Sequence, residues 1–198
     1  MFFDPNGAGS GLPHSPIKAL VAPRPIGWIS TLSPDGVANL APYSFFNLVA
    51  DSPTQVMFAT TGHKDSFYNA TARGEFVWNL VTADLTDAMN RSSASVDRSV
   101  DEFALAGLTK APSRTVAPPR VAEAKAAFEC VVDQFIPLRS SVPGQLNTLV
   151  LGTVNGVYID DDLITDGLFD TSRAQPLARL GYMDYSAVEK TFTLQRPK

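Results

Sequence analysis

Residues 57–80, MFATTGHKDSFYNATARGEFVWNL, run an apolar strand into Gly62, Lys64, Asp65 and Ser66 just as a helix begins. The chemistry those residue types offer is anion binding. The first amides of a helix lack intrahelical partners and lie at the positive end of its dipole, so a phosphate placed there is stabilised. Lys64 adds a full positive charge, and Asp65 or Ser66 is the expected N-cap. Gly74, tolerant of positive φ, closes the helix after Arg73. The same string also serves many proteins as a plain strand-to-helix connection, so its surroundings have to decide.

Other chemistries find little support. His14 and His63 stand apart from Cys or carboxylate ligands at metal spacing, and residues 160–162 lack the glycine and distal Glu of a calcium loop, so no metal is expected. His63 either touches the anion when protonated or is an exposed loop histidine. The glycines of residues 6–11 follow no strand and precede no periodic helix, which argues against a dinucleotide loop. No Gly-x-Ser-x-Gly elbow is present, which speaks against a hydrolase. With one cysteine, Cys130, an internal disulfide is impossible, and that residue reads as a small buried hydrophobe.

The elements that must position the anion seat are mostly strands, expected at residues 25–32, 37–43, 55–61, 75–81, 127–138, 148–159 and 163–165. Residues 33–36, Ser-Pro-Asp-Gly, form a hairpin loop, and residues 160–162 form a second tight turn. Such an array predicts a closed antiparallel barrel. Helices fit at residues 66–73, 82–92 and 101–106, with a short turn near 121–125. Residues 107–120, broken by Pro112, Pro118 and Pro119, read as an extended loop crossing the barrel surface. The 198 residues, 44% hydrophobic, are enough for one domain spanning 1–198 with a flexible segment at 1–13. A formal charge of −4 without a basic run argues against nucleic acid. The absence of a long apolar run or leader pattern argues against membranes, and a cytoplasmic protein is expected.

Several blocks in order resemble the flavin reductase-like family of FMN-binding split barrels, the flavoredoxin type. They are PRPIGWIST, Gly36 and Asn39 of the hairpin, APYSFFN, KDS, EFVWNL, FALAGLT, the segment ending in Glu129 and Cys130, LVLGTVNGVYIDDDLIT and PLARLGYMDY. The resemblance covers roughly residues 14–190. It implies a mainly β split barrel, an antiparallel Greek-key barrel with a few short helices. It further implies an FMN-binding oxidoreductase that passes reducing equivalents from NAD(P)H through flavin to an acceptor. A homodimer whose interface completes each flavin site is implied as well, with the apolar residues of GEFVWNL exposed to serve it. An FMN-holding electron carrier and a non-enzymatic split-barrel binding protein are the alternatives.

FMN asks for a seat for its phosphate, a flat slot for its ring and hydrogen bonds to the ring edge. Lys64, Asp65 and Ser66 would take the phosphate, with Thr60 and Thr61 reaching the phosphate or ribityl hydroxyls. Pro42, Tyr43 and Ser44 would present backbone to the ring edge, and Ser30 and Thr31 lie on the adjacent strand. Trp28 is a pocket wall or core. Asn47 touches flavin or caps a turn. Arg24 contacts the phosphate or pairs with a carboxylate. One of Phe45 and Phe46 is plain packing. The resemblance implies that Arg179 and Tyr182 close over the flavin. Tyr182 stands where the family commonly has a second Gly, so its bulk would narrow the approach of substrate or nicotinamide. A single phosphate seat favours FMN over FAD, and hydride transfer itself requires no catalytic side chain.

Overall fold

The computed structural model describes residues 1–7, 9–62 and 64–197. Seven strands form its main sheet: β1 (Gly27–Leu32), β2 (Ala38–Tyr43), β3 (Phe46–Asp51), β4 (Thr54–Thr61), β5 (Glu75–Asn79), β6 (Ala126–Leu138) and β7 (Asn147–Ile159). They lie in the order β2-β1-β5-β6-β7-β4-β3, every neighbouring pair antiparallel. All seven contribute to one interior cluster: Ile29, Tyr43, Phe46, Val56, Phe58, Phe76, Cys130 and Val150. A flat sheet could not bring its two ends to a common centre, so this one is rolled into a barrel. The end strands β2 and β3 are not paired with each other, which is the split in the barrel. Burying each large apolar side chain there contributes about 1.5–3 kcal/mol.

β1 reads GWISTL without clean alternation because both of its faces are covered. Ile29 points into the barrel, whereas Trp28 packs outward with Leu40, Met89 and Phe103 beneath the helices α2 (Thr86–Arg91) and α3 (Glu102–Ala106). The helix α1 (Asp65–Arg73) follows β4. Its N-cap is Lys64 rather than Asp65 or Ser66, and Gly74 at φ 69° closes it, its amide donating to Ala70 O at 2.8 Å. The buried face of α1 carries Ser66, Asn69 and Ala70, a helical spacing filled mainly by polar side chains.

Three expectations need correcting. Strand β3 is absent from the sequence expectation, since residues 46–51 face solvent except at Phe46 and, in part, Ala50 and lack the pattern of a two-sided strand. The EFVWNL block does not supply an exposed apolar surface: Phe76 and Val77 are fully buried and Leu80 nearly so. Apolar side chains are exposed instead at Phe45, Leu48 and Val49, and at Phe135, Ile136 and Leu138 on the outer half of the β6–β7 ribbon. The loop over residues 107–120 is partly regular, with Lys110–Ala111 paired to Arg120–Val121. Glu129 ties it down by accepting from the amides of Arg114 and Thr115 and from the Thr115 hydroxyl. Cys130 is buried, and burial pushes its thiol pKa up, away from reactivity.

Candidate functional site

The C-terminal end of β2, the start of α1 and the segment 92–98 enclose a cavity of about 440 Å³. Lys64, Asp65 and Ser66 line it at the helix start, and Pro42 and Tyr43 line it from β2. Asp65 is held by Arg98, Nε to Oδ1 at 2.8 Å, and the Arg98 guanidinium lies 4.7 Å from the Tyr68 ring. Lys64 has no carboxylate partner among the described residues, and it lines the cavity where α1 begins.

Beneath the cavity lies a buried polar network. The carboxylate of Glu102 accepts from Asn39 Nδ2 at 2.9 Å and from the Leu40 amide at 3.1 Å. Asn39 Oδ1 in turn accepts from Ser66 Oγ at 2.7 Å and Thr31 Oγ1 at 3.2 Å, while Asn69 Nδ2 donates to Thr31 Oγ1 at 3.1 Å. This chain fixes α1 on the barrel, because a half-satisfied buried network would be costly. Burial raises the Glu102 pKa above the ordinary carboxylate range, against the hydrogen bonds that favour its charge.

Tyr43 is 7% exposed, and its hydroxyl stands beside those of Ser66 and Thr60 yet makes no hydrogen bond of normal geometry. Burial pushes its phenol up to about 12. A buried donor without a partner is uncommon in folded proteins and is the kind of group a ligand satisfies. Tyr43, Pro42 and Ser93 also line a second cavity of about 350 Å³, which continues toward Arg24, Arg179 and Tyr182. The two cavities share Pro42, Tyr43 and Ser93 in their walls and are together termed the groove.

The flavin reductase like domain matches residues 21–178. The chain belongs to the flavin reductase-like family. An uncharacterised protein of Aquifex aeolicus is 34% identical over 171 residues, 83% of this chain and 84% of its own. Nitrilotriacetate monooxygenase component B from Bacillus cereus has a similar structure, with a TM-score of 0.91, 28% identity and 98% of each chain covered. A 2-nitrobenzoate 2-nitroreductase from Pseudomonas fluorescens has a TM-score of 0.81 at 28% identity, covering 91% of this chain and 88% of that one. The split barrel expected from the sequence is the fold these flavin reductase-like structures share with it.

Of the residues singled out in the sequence, Pro42, Tyr43, Lys64, Asp65 and Ser66 line the first cavity, and Pro42, Tyr43, Ser44, Arg179 and Tyr182 line the second. Thr31 sits behind them in the polar network. Thr60 is buried, its hydroxyl donating to Gly62 O at 3.0 Å, while Thr61 faces solvent. Trp28 and Ser30 have no exposed surface: the Trp28 indole donates to Ser92 Oγ at 2.9 Å and the Ser30 hydroxyl to Pro119 O at 2.6 Å. Both are outside the groove. Trp28 takes its core reading because its strand is covered on the outer face by α2 and α3. Asn47 is exposed on β3 and accepts from the Leu48 amide at 2.9 Å, away from the groove. His63 lies outside the described residues. Arg24 does not line the first cavity and pairs with no carboxylate among the described residues; it donates to the backbone carbonyls of Lys18, Val21 and Leu180. Phe46 is core, and Phe45 is 48% exposed.

Sequence reasoning missed Asn39 and Glu102 as site residues, together with Arg98 and the segment 92–96. The segment carried a signal: Ser92, Ser93, Ala94 and Ser95 are a run of small, mostly hydroxylated residues between two helices, with no apolar periodicity to bury.

Proposed function

We propose that the protein is a cytoplasmic flavin oxidoreductase that binds FMN non-covalently in the groove and takes reducing equivalents from NAD(P)H for delivery to an acceptor. The observation that carries this reading is the meeting of an unpaired Lys64 and the first amides of α1 in one cavity, with Tyr43 in its wall. That donor set fits a phosphate ester: a cation beside oriented amides. Membership of the flavin reductase-like family adds support, as do two similar structures described as a monooxygenase component and a nitroreductase.

FMN, when bound, supplies the hydride and electron-transfer chemistry. The chain's own work is to bind, orient and exclude water. Lys64 and the helix amides would hold the phosphate, and Ser66 is kept in place by Asn39 and Glu102. Tyr43, with its raised pKa, stays a neutral donor at ordinary pH. Ser44, which lines the second cavity, would border the ring end, and the segment 92–96 lines the first cavity after α2. No side chain is required as a general acid or base. A homodimer belongs to the proposal, because the exposed apolar residues on β3 and the β6–β7 ribbon are where a second copy would bury surface.

The test is the visible absorbance of purified protein, followed by release and chromatographic identification of any chromophore. Flavin bands and released FMN support the reading. A colourless protein that fails to take up added FMN overturns it and favours a non-flavin binding module. NADH or NADPH oxidation with added free FMN then separates a reductase from an electron carrier that keeps its flavin.

A further inference from the structure

Arg24 and Arg179 lie directly opposite each other where Arg24–Pro25 pairs antiparallel with Leu177–Arg179. Like charges at facing positions of two strands repel. Among the described residues no carboxylate pairs with either. Arg24 is 8% exposed, its Nη groups donate only to backbone carbonyls, and its Nε has no partner. Arg179 donates to the Tyr185 hydroxyl and the Tyr182 carbonyl. Lys18 makes a cation–π approach to the Phe45 ring, 5.9 Å from its centroid. None of the three has a carboxylate partner among the described residues. Carbonyl oxygens solvate a cation without neutralising it, and a buried charge left unneutralised is costly.

The three cations line the second cavity, which has no Asp or Glu in its wall. Past Lys18, Arg24 and Tyr182 it adjoins a pocket of about 590 Å³ with apolar sides from Ile17, Val21 and Phe45. Tyr182 lines both spaces. Its backbone is left-handed at φ 54°, a conformation that is strained for a bulky residue and kept here where the ring edges against His14 at 6.0 Å.

We infer that these adjoining pockets bind a small organic acid, its carboxylate among Arg24, Arg179 and Lys18 and its apolar body against Ile17, Val21 and Phe45. Guanidinium groups suit a carboxylate geometrically, and the adjoining volume is of the size that holds small ligands. The anionic groups of a nicotinamide dinucleotide are flanked by ribose hydroxyls, for which aliphatic walls are poor partners. The inference rests on the flavin reading only for the acid's role, that of a second substrate beside the cofactor.

The test is calorimetric titration of the full chain, with and without added FMN, using benzoate, its neutral analogue benzamide, and ADP-ribose as a probe for dinucleotide phosphates. Benzoate should bind about tenfold or more tightly than benzamide, as expected for one charge-assisted contact. Lys18→Gln and Arg179→Gln should each erase most of that preference. Lys18 is solvent-exposed, so its variant tests the site without threatening the fold. Equal binding of benzoate and benzamide overturns the inference. So does a preference unchanged in both variants, or charge-dependent binding of ADP-ribose without binding of benzoate. A protein that prefers benzoate but takes up no FMN keeps the acid site and removes the flavin reading.

Discussion

Lys64 precedes the first turn of α1 in extended conformation, φ −84° and ψ 163°, and its side chain makes no capping bond. It lines the cavity at the start of α1, where its charge would add to the field of the helix amides. Lys64→Ala should cost FMN binding about 1.5–3 kcal/mol, a charge-assisted hydrogen bond, read by absorbance titration. Equal affinity in mutant and parent would remove Lys64 from the seat. Tyr43→Phe should act in opposite directions on two measurements. The flavin-free chain should be as stable or up to about 1 kcal/mol more stable, because a buried hydroxyl without a partner is removed, while FMN affinity should fall. Glu102 gives a pH signature. Its folded pKa is raised above the ordinary 4.5, so the folded chain holds that proton more tightly than the unfolded one. The stability it contributes is complete below 4.5 and is lost as pH rises through the raised value. Urea unfolding at a series of pH values should show Glu102→Gln with a flatter decline across that window.

At the level of elements, two features hold the groove in shape. The first is the polar inner face of α1, where Ser66 and Asn69 join Asn39, Thr31 and Glu102 in place of an aliphatic stripe. Such a face costs more to desolvate than leucines would, and it fixes the helix start against β2 in one arrangement. The second is the long ribbon of β6 and β7. Its pairing shifts register at Gly152, where an added Cβ would stand 2.5 Å from the Phe76 ring and 3.0 Å from the Val131 carbonyl oxygen. Gly152→Ala should therefore destabilise the barrel by about 1–3 kcal/mol through overpacking, measured by denaturant unfolding. An unchanged midpoint would mean that Phe76 can move aside. The loop over residues 107–120 depends on Glu129, whose carboxyl is held below its usual range despite burial by the Thr115 hydroxyl and the Arg114 and Thr115 amides. Its pH sign is opposite to that of Glu102: the stability is present above 4.5 and lost as pH falls.

For the whole molecule, the exposed apolar side chains decide the expectation about assembly. Leu48 and Val49 lie on the edge strand β3, beside the exposed Phe45, and an apolar edge left open is a liability. Sedimentation equilibrium of the parent chain should give the mass of a dimer. Leu48→Asp with Val49→Asp should shift it to the monomer and weaken FMN binding together. A monomer that retains full FMN affinity would separate the flavin site from the interface. No helix among the described residues is long and apolar enough to cross a membrane.

Local chemistry made much of this legible from the chain alone. Gly36 and Gly74 both adopt the positive φ their turns require, and most strand limits fell within two residues because β-branched and aromatic runs end at turn residues. The strand, Lys64 and helix start could be read from the chain because they are neighbours in sequence. What lay beyond local chemistry was decided by packing. Trp28 and Tyr43 are both large aromatic residues in adjacent strands, yet one is sealed under two helices and the other packs into the barrel interior and borders a cavity. Glu102 is 38 residues from Lys64 in the sequence and shares its cavity only because α3 folds back over β2. Arg24 and Arg179 meet only through strand pairing. Sequence determines which groups can bind a charge, and the closing of the sheet determines which of them share one space, because long-range contacts depend on how the whole core packs.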